Sequence, residues 1–195
     1  SFGSADTFSV NGAVWDIEVG ADNKITLGGN FIYSMFQSQK FNLARVLADG
    51  TIDTTLNPQG IVGTTNYIND ILLLPGDKTL ISMFNSVGQS GGNVFRLNVS
   101  GAVEFSVTTS DIIERFARQT DGKILVGGNF TTFNGFPVSA GIVRLNTDDS
   151  FDTSFTPPSG VRANDIEILA NGKILVSGGF TVGTTRNVIL LNLDG

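Results

Sequence analysis

Histidine and cysteine are both absent from this 195-residue sequence. Without cysteine the chain can form no disulfide bond and no thiolate metal site. Without histidine it lacks the usual general base near neutral pH, the commonest metal ligand, and any Ser-His or Cys-His nucleophilic pair. The sequence therefore favours a protein that is not an enzyme, and we expect no cofactor and no metal.

Basic residues are scarce as well, because 12 Lys and Arg stand against 18 Asp and Glu, for a net charge of −6. They are scattered, so the basic patch expected of a nucleic-acid-binding protein is missing. No apolar run approaches the roughly 20 residues that a membrane-spanning helix needs. We therefore expect no nucleic-acid partner and no membrane insertion. The 24 glycines and 15 phenylalanines indicate turns and strands rather than helices.

A ten-residue phrase recurs along the chain and divides it into four repeats. The clearest version is 121–130, Asp-Gly-Lys-Ile-Leu-Val-Gly-Gly-Asn-Phe; residues 22–31 and 171–180 follow it closely, and 76–84 is a degenerate version. The lysines of the four phrases are 54, 45 and 50 residues apart: Lys24, Lys78, Lys123 and Lys173. Repeats of this length are typical of propellers and other repeat architectures.

Each repeat has the pattern of four strands joined by turns. Asp121-Gly122 and Asn171-Gly172 predict two-residue hairpins with type I′ turns. Four strands in about 50 residues, repeated four times, are typical of β-propeller blades, whereas a β-sandwich would have no reason to repeat in sequence. We predict an all-β fold, a single β-propeller domain over residues 1–195 with four-stranded blades. The blades are expected at about 11–56, 66–107, 112–155, and 163–195 together with 1–10.

The last repeat lacks the short sequence that precedes the fourth strand in the third repeat, and a similar sequence occurs at the N-terminus. Residues 1–8 resemble 150–155, Ser-Phe-Asp-Thr-Ser-Phe. We therefore predict that Asp6 to Val10 completes the last blade and closes the ring. The alternative is that the four repeats belong to a larger propeller.

Glycine pairs recur in the second strand of three repeats, at 28–29, 127–128 and 178–179. Glycine normally weakens a strand, so its recurrence indicates a geometric demand. The demand is either close approach of neighbouring blades or a β-bulge. A phosphate-binding loop is excluded because no helix follows the glycines.

Three phrases, at 121–130, 143–146 and 152–155, resemble the Delta-60 repeat family of predicted β-propeller repeats in bacterial surface, secreted and phage proteins. The resemblance covers nearly the whole chain. It weakens in the second repeat, where 82–84 replaces the glycine pair and 104–107 replaces the Asp-Thr phrase. It implies a propeller in an extracellular, cell-surface or virion setting, and it implies no catalytic residues.

An arginine lies inside an apolar strand in three of the repeats, where a charge needs a partner. Each is followed by an acidic residue on the next strand. We predict Arg-carboxylate pairs that latch adjacent strands, bidentate where the geometry allows; an arginine that binds an anion in a central channel is the alternative. The residues concerned are Arg45, Arg96 and Arg144 with Asp53, Glu104 and Asp152, whereas the fourth repeat offers Asp6 but has Leu190 in place of arginine.

Candidate ligand-binding residues lie in the loops between the second and third strands, where the repeats differ most. Aromatic and amide side chains in these loops suit carbohydrate or protein contact, because rings stack on apolar faces and amides both donate and accept hydrogen bonds. The alternative is that Phe36 and Phe133 pack back onto their own blade. The candidates are Tyr33, Phe36, Gln37, Asn134 and Phe136.

We expect a binding module of a larger extracellular or virion-associated protein that recognises a surface glycan or protein receptor. A second possibility is a spacer or assembly module in a surface fibre or phage tail, with neighbouring chains as partners. A third is a glycan hydrolase that uses Asp111 and Glu114 as its carboxylate pair. Asp148-Asp149 lacks the ligand spacing of a calcium loop, so we assign no metal.

Overall fold

A computed structural model describes residues 9–35, 38–58, 61, 63–85 and 92–195. These residues form strands and turns, which confirms the all-β prediction. No helix that could cross a membrane occurs in this part of the chain. The strands are β1 (Asn11–Val19), β2 (Ile25–Met35), β3 (Ser38–Val46), β4 (Asn66–Leu74), β5 (Lys78–Asn85), β6 (Gly92–Leu97), β7 (Val103–Thr108), β8 (Ile113–Arg118), β9 (Ile124–Gly128), β10 (Thr132–Phe133), β11 (Phe136–Pro137), β12 (Ile142–Leu145), β13 (Asp165–Ile168), β14 (Ile174–Val182) and β15 (Thr185–Leu191).

Each repeat forms its own sheet, and the strands lie in the sheet in chain order. The first repeat gives β1-β2-β3, the second β4-β5-β6-β7, the third β8-β9-β12 and the fourth β13-β14-β15. The third repeat also carries the small hairpin β10-β11 between its second and third main strands. This up-and-down order is the arrangement expected of propeller blades.

The chain divides into two compact units. The first holds the described residues before 86 together with Val94–Ser106, and the second holds 92–93 and Val107–Gly195. In the first unit Leu43 of the first repeat packs with Ile68 and Ile71 of the second. In the second unit Leu125 of the third repeat packs with Ile166 of the fourth. Each unit therefore buries an apolar sheet face of one repeat against the next, which a single repeat could not do alone.

The sequence predicted four strands in every blade, and within the described residues only the second repeat has a full fourth strand, β7. In the first and third repeats the fourth strand is reduced to single bridges, Val46 with Ile52 and Leu145 with Phe151. An Asp turn follows immediately in both. In the third repeat, for example, the Asp152 carboxylate accepts a hydrogen bond from the backbone N–H of Ser154 at 3.0 Å, and the turn ends the strand. The second repeat has no such Asp and its strand continues.

The hairpin turns also differ from the prediction of type I′. In the third repeat, Gly122 N donates to Gln119 O at 2.9 Å and Gln119 N donates to Lys123 O at 2.8 Å. Gly122 has φ of +88° whereas Asp121 is not among the residues with positive φ. This is a type I turn followed by a left-handed residue with a bulge, a three-residue loop. The Asp121 carboxylate favours it by accepting a hydrogen bond from Lys123 N at 3.1 Å.

The predicted strand exchange depends on residues 1–8, which lie outside the described residues. Closure of the ring through Asp6 to Val10 therefore stays a prediction.

Candidate functional site

The arginine and acid of the first repeat form a buried ion pair. Arg45 Nε lies 2.8 Å from Oδ2 of Asp53, and both side chains are almost fully buried. The pair is not bidentate, because Arg45 Nη2 donates instead to Thr55 Oγ1 at 3.2 Å and to the carbonyl of Val99 at 2.9 Å. Val99 belongs to the second repeat, so this arginine joins two repeats as well as two strands.

The third repeat contains the same arrangement with an additional cation. Arg144 Nε and Lys123 Nζ each lie 2.8 Å from Oδ2 of Asp152. Arg144 Nη1 donates to the carbonyl of Leu193 in the fourth repeat. The guanidinium carbon also lies 4.8 Å from the centre of the Phe155 ring, which adds a cation–π contact. The arginine again links its own strand to the next repeat.

The acids of these pairs remain ionised despite their burial. Burial by itself raises the pKa of Asp152, but hydrogen bonds from Lys123, Ser154 and Arg144 outweigh it and bring the pKa well below its usual value. Burial likewise opposes ionisation of Asp53, and hydrogen bonds from Thr55 and Arg45 lower its pKa overall. The hydroxyls of Thr55 and Ser154 also belong to this site, and the sequence had not indicated them.

The pair in the second repeat is looser. Arg96 Nε lies 3.4 Å from Glu104 Oε2, whereas Lys78 Nζ lies closer, at 2.8 Å. The side chains of Arg96 and Glu104 are 19% and 30% exposed. In the fourth repeat Leu190 replaces the arginine and is exposed, and Asp6 lies outside the described residues.

Backbone hydrogen bonds also join neighbouring repeats beside the ion pairs of the first and third repeats. The backbone N–H of Asn57 donates to Ser100 O at 2.9 Å, and that of Thr156 donates to Asp194 O at 2.8 Å. In the first unit the turn at Gly101 lies so close that a Cβ on it would be 2.8 Å from the nitrogen of Pro58. A recurring sequence feature marks both of these hydrogen bonds. A proline follows a large apolar residue by two positions at 56–58 and again at 155–157.

The two glycines of the pair at 28–29 meet different demands. A Cβ on Gly28 would lie 2.6 Å from Cγ2 of Ile68, so the first glycine admits the neighbouring repeat. A Cβ on Gly29 would clash with the carbonyl oxygen of Ala13 in its own sheet, where the register between β1 and β2 shifts. In this pair the two explanations that the sequence left open therefore apply to adjacent residues, whereas in the fourth repeat a Cβ on Gly179 would lie in open space.

Tyr33 does not lie on an exposed rim, which corrects the expectation for this residue. Its ring is buried with Phe31 and Ala44, and its hydroxyl donates to Leu43 O at 3.1 Å. Burial raises the pKa of Tyr33 to about 12. The residue belongs to the core of the first unit. The other two candidates in this loop, Phe36 and Gln37, lie outside the described residues.

The two candidates in the third repeat, Asn134 and Phe136, lie on the hairpin β10-β11. Asn134 and Gly135 form its tip with φ of +50° and +79°, so Asn134 supplies a turn conformation that few residues adopt. Phe136 is 72% exposed. Phe133 faces inward, with its ring centre 5.8 Å from that of Phe130 and 6.2 Å from that of Phe151.

An open groove of about 180 Å³ begins at the end of this hairpin. Most of the side chains that line it are apolar, and Ser139 supplies the only side-chain hydroxyl among them, but polar atoms contribute as much of the lining surface as apolar atoms do. Phe151 lines the groove and is itself partly exposed. The lining residues are Pro137, Val138, Ser139, Ala140, Ile142, Val143, Phe151, Phe155 and Pro157. The exposed Phe136 and this groove together form the candidate binding site.

The acidic residues considered for catalysis and calcium binding have local structural contacts. Asp111 accepts hydrogen bonds from Asn129 Nδ2 at 2.9 Å and from Ile112 N at 2.8 Å. Asp148 accepts from the hydroxyl and backbone N–H of Ser150 at 2.6 and 3.0 Å. Across the described ranges, no three acidic side chains converge as a metal site would require.

A family model described as a domain of unknown function (DUF5122) β-propeller matches residues 20–56, 119–155 and 169–195, just over half of the chain. No curated protein matches the sequence. Among solved structures, a protein of unknown function from Bacteroides caccae is 11% identical with a TM-score of 0.40, over 97% of this chain and 80% of that one.

Proposed function

Since the chain belongs to the family described as a domain of unknown function (DUF5122) β-propeller, we propose that it is a non-catalytic binding module of a larger extracellular or virion-associated protein. The four repeats serve as the blades of the propeller. The resemblance of its phrases to Delta-60 repeats supports this location, because such repeats occur in bacterial surface, secreted and phage proteins.

The observation that carries the proposal is the exposed ring of Phe136, which immediately precedes the groove residue Pro137 on β11. A large apolar side chain that is 72% exposed loses the stabilisation that burial would give. Its hairpin lies in the connection between the second and third main strands of the third repeat and forms a separate two-stranded sheet. Connections of this kind carry binding residues more often than the strands that hold them. The partner is a surface glycan or a surface protein.

Binding of the labelled protein to bacterial cells, immobilised envelope glycans and surface proteins tests the proposal. Phe136→Ala should weaken saturable binding about tenfold, which corresponds to about 1.4 kcal/mol. Val188→Ala is the matched control, because Val188 is also an exposed apolar residue of the second unit but lies on β15. Equal binding by wild type and Phe136→Ala would exclude the hairpin as the binding site. Absence of binding to every surface would overturn the proposal.

A spacer or assembly module is the second candidate, and exposed apolar residues on β1 favour it. Ile17 and Val19 are more than half exposed and lie on the same side of that strand. A neighbouring chain of a fibre would cover such a surface. Sedimentation velocity over a range of concentrations tests this alternative, since an assembly module should self-associate and Ile17→Ser should reduce the association.

A further inference from the structure

The first strand of three repeats contains a β-bulge at the same position. The register between first and second strands skips one residue between Val14 and Asp16, between Ile68 and Asp70, and between Ile113 and Arg115. The inserted residues differ in chemistry and are Trp15, Asn69 and Glu114. A bulge turns its residues away from the regular alternation of a strand and re-aims a side chain.

The bulge persists although the opposite strand changes. Gly28 and Gly29 face it in the first repeat, whereas Ser82 and Met83 face it in the second. The geometry is therefore constant while the residue that it presents varies. A constant framework that displays a different side chain in each repeat is the pattern of a recognition surface on a repeat protein.

Trp15 is the largest of the displayed side chains, and it is both exposed and held in place. It is 48% exposed, and its ring contacts Tyr67 edge to face with centroids 5.6 Å apart and planes at 75°. The next residue, Asp16, accepts a hydrogen bond from Ile71 N at 2.7 Å and so fixes the strand to the second repeat. The bulge places both residues toward the second repeat, which an unbroken strand would not do.

We propose that Trp15 and Tyr67 form a stacking platform for a sugar ring of a glycan. This rests on the proposed function and deepens it by naming a ligand class and a site separate from the Phe136 groove. An indole that is rigid and half exposed offers a flat apolar surface, and the C–H face of a pyranose packs on such a surface while its hydroxyls remain available for hydrogen bonds.

The geometry and charge favour a neutral sugar over other ligands. The edge-to-face contact covers part of the aromatic surface and leaves no space between the two rings, so the pair does not form a cage around a cation. The net charge of −6 and the carboxylate of the following residue, Asp16, disfavour anionic ligands.

The chain has one tryptophan, so its fluorescence reports on this site directly. We expect saturable changes in emission on titration with neutral oligosaccharides of glucose, galactose or N-acetylglucosamine. Trp15→Asn should abolish binding of the same sugar, measured by calorimetry because this variant removes the reporter. It should fold normally, since the second repeat already carries asparagine in this bulge at Asn69.

Tyr67→Ala keeps the reporter and should weaken sugar binding about tenfold, whereas Val188→Ala should leave it unchanged. The inference is overturned if no sugar changes the emission, if only tetramethylammonium changes it, or if Trp15→Asn binds as well as wild type. Cell binding that depends on Phe136 without any response of Trp15 would overturn this inference and leave the proposed function standing.

Discussion

Arg144 and Asp152 give the clearest prediction for single residues. Both are almost fully buried and lie 2.8 Å apart, so removal of one leaves an incompletely compensated buried charge. Arg144→Leu introduces the residue that the fourth repeat has at Leu190. We expect it to lower the free energy of unfolding by about 3–5 kcal/mol, as measured by urea denaturation at neutral pH.

The looser pair of the second repeat provides the control for this variant. Arg96 and Glu104 are partly exposed and 3.4 Å apart, so Arg96→Leu should cost about 1 kcal/mol or less.

The folded-state pKa of Asp152 is lowered, so its ion pair stabilises the fold fully above the ordinary carboxyl pKa of about 4 and less as pH falls further. The stability difference between wild type and Arg144→Leu should therefore narrow only below about pH 4. Narrowing between about pH 8 and 5 would contradict this assignment.

At the level of the strand, the turn after Asp152 depends on a hydroxyl. Ser154 Oγ donates to Asp152 Oδ1 at 2.6 Å, and the turn ends the short fourth strand. Ser154→Ala should lower the free energy of unfolding by about 1 kcal/mol. Ser106→Ala is the control, because Ser106 occupies the corresponding place within β7, and its effect should stay within about 0.5 kcal/mol. Equal losses in the two variants would show that the turn does not depend on this bond.

The same turn shows why the number of strands could not be predicted from the sequence. Apolar periodicity and turn residues announced all the main strands, because both are local properties. The length of the fourth strand depends on whether a side-chain hydrogen bond replaces strand pairing. In the third repeat the Asp152 carboxylate forms such a bond and the strand ends, whereas in the second repeat Glu104 forms no such turn and the strand continues. The turn type at Asp121-Gly122 was predicted wrongly for a similar reason, because the pattern of residues does not show whether the aspartate has positive φ.

For the whole molecule, the sequence predicted interactions within a repeat better than those between repeats. A charge in an apolar strand requires a partner, and this rule was enough to identify Arg45 with Asp53. It could not reveal that Arg45 also reaches Val99, because that contact depends on how one sheet packs on the next. The aromatic residues between the second and third strands were ambiguous as well. The sequence placed Tyr33 and Phe136 in similar loops, but Tyr33 lies in β2 and faces the core, whereas Phe136 lies in β11 and faces solvent.

The surface of β1 allows a test of what covers the first repeat in solution. Ile17 is 58% exposed, whereas Ile71, at the corresponding position of the second repeat, is 2% exposed. Ile71→Ala should therefore lower the free energy of unfolding by about 2–5 kcal/mol, and Ile17→Ala by less than about 0.5 kcal/mol. Chemical denaturation at low protein concentration measures both. A loss at Ile17 as large as that at Ile71 would show that this surface is buried in solution. A loss at Ile17 that appears only at high protein concentration would indicate burial against a neighbouring chain.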